Sequence, residues 1–186
     1  YLLMVGSAAW YKNRLGALQL QAALAKLTPT PPDLVLAGAA PTDEENALAR
    51  EHRVEIVHFG ELSPAQLQTL YTGAEALLMP SYIEGFGWPA LEALAAGTPL
   101  VITDTSSLAE HFGPAAALVL PTPAPTELAA WADAMAPHLR ELLEAPAEVR
   151  AAIIQQGRQH AASFSKDSFA KNLLAGLSAV QGSPSA

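Results

Sequence analysis

The residues best suited to chemistry lie in one stretch, "PSYIEGFGWPALEALAAGTP", from Pro80 to Pro99. Glu84 stands just before a Gly85-Phe86-Gly87 turn, and Glu92 follows eight positions later, inside the helix that the turn opens. Paired carboxylates accept hydrogen bonds from vicinal hydroxyls, while glycines let backbone N–H groups come close to phosphate. The chemistry suits a sugar held beside a phosphate. Glu84 and Glu92 are the one pair at this spacing among the thirteen glutamates, yet chance supplies on the order of one such pair at this composition. Spacing alone therefore leaves a plainer reading open, in which Glu84 complements a helix dipole and Glu92 is a solvated helix residue. Upstream, "GSAAWYKNRLG" places Lys12 and Arg14 between an apolar run and a helical pattern, where two cations could clamp a diphosphate. A solvated loop explains them equally well, and the Gly-x4-Gly-Lys-Ser/Thr spacing of a P-loop is absent.

These residues need a frame, and the apolar pattern supplies one. Strand-like runs recur at "YLLMVG", "DLVLAG", "VEIVHFG", "ALLMPS", "PLVITD" and "AALVLP", separated by helical patterns such as "NRLGALQLQAALAKL" and "SPAQLQTLYTGA". The alternation predicts an α/β fold, a Rossmann-like doubly wound parallel sheet of about six strands. Right-handed crossovers then bring every strand-to-helix loop to one edge. Residues 6–14, 38–42, 58–63, 81–87 and 104–108 converge there. After a Pro-rich connector, "PTPAPTE", helices are expected from about Glu127 to Leu143 and from about Ala147 to Ala162, followed over 164–186 by a further helix and a fraying Ser/Gly tail.

Composition narrows the partners. The 186 residues are 51% apolar, with no run long enough to cross a membrane, and fit one domain with one sizeable core. Ten basic against eighteen acidic residues give a net charge of −8 without a Lys/Arg cluster, which argues against nucleic acid and anionic membrane. The absence of cysteine fits a cytoplasmic location. Five scattered histidines and no Asp-x-Asp pair leave metal-dependent chemistry little support; His58 and His111 read as structural or capping residues. The chain opens inside an apolar strand and is expected to be a piece of something longer.

One rival motif shares the same glycines. Gly85 to Ala90 matches the Gly-x-Gly-x-x-Ala dinucleotide fingerprint, and Asp104 follows at a strand end where a ribose-binding acid belongs. An NAD-binding oxidoreductase domain is thus one alternative, and a non-enzymatic nucleotide-binding module another. Against NAD, Ser81 to Glu84 separate the strand from the first glycine, where the fingerprint wants a tight turn.

Taken together, "MPSYIEGFGWPALEALAAGTPLVITDTSSLAEHFGPAAALVLP", the Lys12-Asn13 pair and "FGELS" at Phe59 to Ser63 resemble the retaining family 4 glycosyltransferases. The resemblance covers about Tyr1 to Pro121. It implies the C-terminal, donor-binding half of a two-domain GT-B enzyme, with the acceptor carried by an amino-terminal half absent here. It assigns Glu92 to the donor ribose, Glu84 to the donor sugar as the catalytic candidate, and the backbone at Phe86 and Gly87 to the diphosphate. Lys12 takes the place of the family's diphosphate lysine; the arginine that often follows the first-strand glycine is Ser7 here, and Arg14 is the candidate substitute. The loop at His58, Phe59 and Gly60 would border the nucleobase. A nucleotide-sugar is implied as substrate, with no metal and no other cofactor. The segment "SFSKDSFAKNLLAGL" resembles the helix that crosses back to the partner domain in this architecture.

Overall fold

In the computed structural model, residues 1–165 and residue 168 are described. All six expected strands form: β1 (Leu2–Gly6), β2 (Leu34–Gly38), β3 (Ile56–Phe59), β4 (Ala76–Met79), β5 (Leu100–Thr103) and β6 (Leu118–Leu120). They build one parallel sheet in the order β3-β2-β1-β4-β5-β6, the doubly wound arrangement in which the order reverses between β1 and β4. The helices are α1 (Arg14–Ala25), α2 (Asp43–His52), α3 (Pro64–Gly73), α4 (Trp88–Ala96), α5 (Ser106–Phe112), α6 (Leu128–Leu143) and α7 (Ala147–Ala162). None of the described helices is long and apolar enough to cross a membrane. The predicted terminal segment lies, apart from residues 164, 165 and 168, outside the described residues.

Strand side chains alternate between two apolar layers, as the two-residue period of a strand requires. Leu2, Met4, Leu34, Leu36 and Leu78 face one layer with Leu18, Leu24, Trp131 and Leu139 of α1 and α6. Leu3, Val35, Leu77, Leu100 and Ile102 face the other, with Tyr71 of α3, Leu94 of α4 and Phe112 of α5. Both faces of every central strand are therefore covered, which explains the unbroken apolar runs.

Local chemistry sets the helix ends. Thr42 and Glu45 exchange hydrogen bonds at the start of α2, and Ser63 and Gln66 do so at the start of α3, where Pro64 occupies the first turn. Helix α2 begins where the expected strand-to-helix loop 38–42 ends, and its capping box marks that start although "DEENALAREH" is too polar to display an apolar stripe. The ends of β1 and β2 touch: Gly38 has φ +117°, and a Cβ there would sit 2.5 Å from the Gly6 carbonyl oxygen.

Gly38→Ala is therefore expected to lose about 1–3 kcal/mol of stability, since both conformation and space reject a side chain. Gly60→Ala, where a Cβ meets nothing within 4 Å, should stay within about 0.5 kcal/mol of wild type. Urea unfolding of the two variants side by side checks both values.

Candidate functional site

The loops after β1 and β4 meet where the strand order reverses. The chain leaves Gly6, forms a short 3-10 turn over Trp10–Lys12, and enters α1 through Asn13, whose φ of 50° is left-handed. Asn13 tolerates that conformation better than most residues. Its buried amide works in two directions: Oδ1 accepts from the Gly16 N–H at 3.1 Å, and Nδ2 donates to the Pro80 carbonyl at 2.9 Å. The Tyr82 N–H adds a backbone bond to the Tyr11 carbonyl, 2.8 Å. The two loops are thus stitched together.

Within that frame, Lys12 Nζ lies 2.8 Å from Glu84 Oε1 and 3.0 Å from Oε2, with side chains only 16% and 7% exposed. Ser81 Oγ donates to Glu84 Oε1 at 2.7 Å, and Ser107 Oγ donates to the Glu84 carbonyl at 2.7 Å. Ser81 is itself held by Thr103, whose hydroxyl donates to its carbonyl at 2.6 Å. Carboxylate and cation are consequently fixed before any ligand arrives.

Immediately after Glu84, the turn presents backbone. Gly85 has open space where a side chain would go, whereas Gly87 has φ +90° and a Cβ there would meet Leu108 at 2.9 Å. The Phe86 ring packs among Trp88, His111 and Phe112, at centroid distances of 4.9, 5.2 and 5.5 Å. Gly87 caps α4 without a side chain, Pro89 in the first turn has no N–H, and the Ala90 N–H bonds the Gly87 carbonyl at 2.9 Å, so the N–H groups at Gly87 and Trp88 are the ones left without a helical acceptor. Glu92 lies in the second turn of α4 on its exposed side and accepts a 2.8 Å hydrogen bond from the Tyr71 hydroxyl. Burial, and then the hydrogen bond and charge of Glu92, hold that hydroxyl far above the ordinary tyrosine range.

Arg14 has a different environment. Its side chain is 6% exposed, with NH2 3.0 Å from Glu45 Oε2 and NH1 donating to the Ala39 carbonyl at 3.1 Å. Burial lowers its pKa and Glu45 opposes the shift. The structure thus ties Arg14 to the start of α2 and does not bring it into the Lys12–Glu84 pair, although both cations border a crevice of about 10 Å³ with Gly6 and Ser7. At the β3 end, the His58 ring is 3.0 Å from the Gly38 carbonyl, while Phe59 and Gly60 are exposed. Among the described residues, no cluster of three or more His, Cys, Asp or Glu is placed to hold a metal ion.

Sequence reasoning left Ser81, Ser107 and Tyr71 without roles. Ser81 had a usable signal, being the first polar residue after a buried strand. Tyr71 had none, since it falls within an ordinary helical pattern. One cavity of about 720 Å³ lies away from the glutamates, between α6, α7 and the start of β6. Another of about 320 Å³, bordered by Trp10, Arg14 and Tyr82, does lie on the strand-end edge. The positioned polar groups, more than cavity volume, define the site.

Residues 1–160 match the family model of the glycosyl transferases group 1. The chain belongs to this family. It is 40% identical over 115 residues to the D-inositol 3-phosphate glycosyltransferase of Mycobacterium avium, covering 61% of this chain and 25% of that protein. The chain thus spans about a quarter of the length of such relatives. Among solved structures, the pneumococcal O-GlcNAc transferase in complex with UDP and GlcNAc aligns with a TM-score of 0.78 at 20% identity, over 98% of this chain and 36% of that one. The C-terminal domain of a glycosyl transferase group 1 protein from Francisella tularensis aligns with a TM-score of 0.69 at 20% identity, over 88% and 85%. Neighbours of this kind have the GT-B fold. No comparison supports the dinucleotide alternative, and the Asp104 carboxylate is engaged by the N–H and hydroxyl of Thr122, at 2.8 and 2.7 Å.

Asn13→Ala is expected to cost about 2–4 kcal/mol, because two buried hydrogen bonds, a helix cap and a tolerated left-handed φ are lost together. Asn13→Gly, which relieves only the backbone strain, should cost less. Thermal or urea unfolding of the pair separates the two contributions.

Proposed function

We propose that this chain is the donor-binding half of a metal-independent, retaining glycosyltransferase, holding a nucleotide diphospho-sugar at the edge where β1 and β4 end. The observation that carries this reading is the Lys12–Glu84 pair, fixed beside a bare glycine turn and a helix N-terminus. Lys12 and the α4 N–H groups supply positive potential for a diphosphate. Family membership supports a sugar nucleotide as the ligand.

Each group then has a task. Glu92 accepts hydrogen bonds from the ribose hydroxyls, and Glu84 accepts them from the donor sugar. The backbone at Phe86 and Gly87 meets the diphosphate, and His58, Phe59 and Gly60 border the base. Arg14 acts through the loop that carries Lys12, since its guanidinium is paired with Glu45. In the transfer step the bond between the anomeric carbon and the diphosphate oxygen breaks, the acceptor oxygen bonds to that carbon on the face the diphosphate leaves, and the acceptor proton passes to the departing phosphate. Lys12 and the helix N-terminus stabilise the charge on that phosphate. The acceptor comes from a second, amino-terminal half, which closes the cleft and excludes water. Exposed Trp10, Ile83 and Trp88, 72, 59 and 65% accessible on the β1 and β4 loops and at the start of α4, suit a surface that another domain covers.

Calorimetric titration with UDP, GDP, ADP and NAD tests the reading. One nucleoside diphosphate is expected to bind, with an affinity unaffected by EDTA. Glu92→Ala should weaken it by about 1–3 kcal/mol, and Lys12→Ala should weaken the diphosphate more than the parent nucleoside. Binding of NAD in preference to all three, or unchanged affinity in both folded variants, would overturn the assignment.

A further inference from the structure

Glu92 is the exposed carboxylate of the site, and an exposed glutamate ordinarily samples several rotamers. Here one oxygen is occupied. The Tyr71 hydroxyl donates to Oε2 at 2.8 Å, and Oε1 has no partner among the described residues. Tyr71 itself is immobile: its side chain is 1% exposed in the apolar layer between α3 and the sheet. Its carbonyl accepts from Thr98 Oγ1 at 2.6 Å and from the Ala74 N–H at 3.1 Å. Thr98 lies just past Gly97, the C-cap of α4, so Tyr71 is fastened to the end of the helix that carries Glu92.

We propose that Tyr71 is a positioning residue that holds the Glu92 carboxylate in one orientation and leaves Oε1 free for a vicinal diol. This rests on the reading of Glu92 as the ribose ligand. The hydroxyl is well suited to the task. It can donate while its ring stays in the core, and burial beside a carboxylate keeps it protonated at any working pH. An acceptor oriented in advance does not have to be ordered when the diol binds. The contribution of Tyr71 should therefore appear for ligands with ribose hydroxyls and vanish for ligands without them.

The experiment uses the full-length protein and whichever of UDP, GDP and ADP it binds most tightly, together with the 2′,3′-dideoxy form of that nucleotide. Tyr71→Phe keeps the ring and its packing, and a thermal melt confirms that the variant folds. It is expected to weaken the ribonucleotide about threefold to tenfold and to leave the dideoxy form within about twofold of wild type. In a Glu92→Ala background, Tyr71→Phe should produce no further loss. Equal losses for both nucleotides, an undiminished loss in the Glu92→Ala background, or tighter binding by Tyr71→Phe would overturn the inference; the last would mean that Tyr71 holds the carboxylate away from ligand. If Glu92→Ala leaves ribonucleotide affinity unchanged, the ribose reading of Glu92 itself fails and takes this inference with it.

Discussion

The ion pair between Lys12 and Glu84 joins the two loops that leave β1 and β4, and it is largely withdrawn from water. A charge in that position is costly unless its partner and its remaining hydrogen bonds are supplied. Ser81 supplies one bond to the carboxylate, while Ser107 and Thr103 fix the backbone around it. Asn13 fixes Lys12 by bonding to the β4 end and capping α1 at once. The pair is therefore not an isolated surface contact of negligible worth. It is the visible centre of a set of bonds that makes two loops one object.

That arrangement follows from the sheet. The strand order reverses between β1 and β4, so the helices after them, α1 and α4, cover opposite faces and the loops part to leave a crevice. Within the crevice, side chains bring one cation and one carboxylate, and α4 brings its N-terminus. Gly87 lets α4 begin there at a φ that other residues resist, and the Phe86 ring turns into the aromatic cluster, which leaves main chain at the mouth. Anionic and hydroxyl groups are the ones that such a crevice complements.

Much of this was legible in the residues. The six strands and helices α6 and α7 follow from apolar runs and Pro/Gly punctuation, because buried parallel strands must be apolar on both faces. The pairing of loops followed from topology alone. What could not be read was how each polar side chain would be shared. Arg14 and Lys12 are two positions apart in sequence, yet Arg14 turns to Glu45 on α2, and Lys12 turns to Glu84. Tyr71 and Glu92 lie 21 residues apart on neighbouring helices, and nothing in either segment announces the contact. Periodicity reports which face is buried. It is silent on which hydroxyl reaches which carboxylate.

On the proposed reading, these two loops and the start of α4 form one ligand site. Amide chemical-shift mapping of the ¹⁵N-labelled protein during titration with a nucleoside diphosphate tests it most directly. The largest shifts are expected at Lys12 and Asn13, from Glu84 to Trp88, and at Glu92, with smaller ones at residues 58–60. Shifts concentrated instead around the cavity between α6 and α7, or scattered without a focus at the ends of β1 and β4, would contradict it.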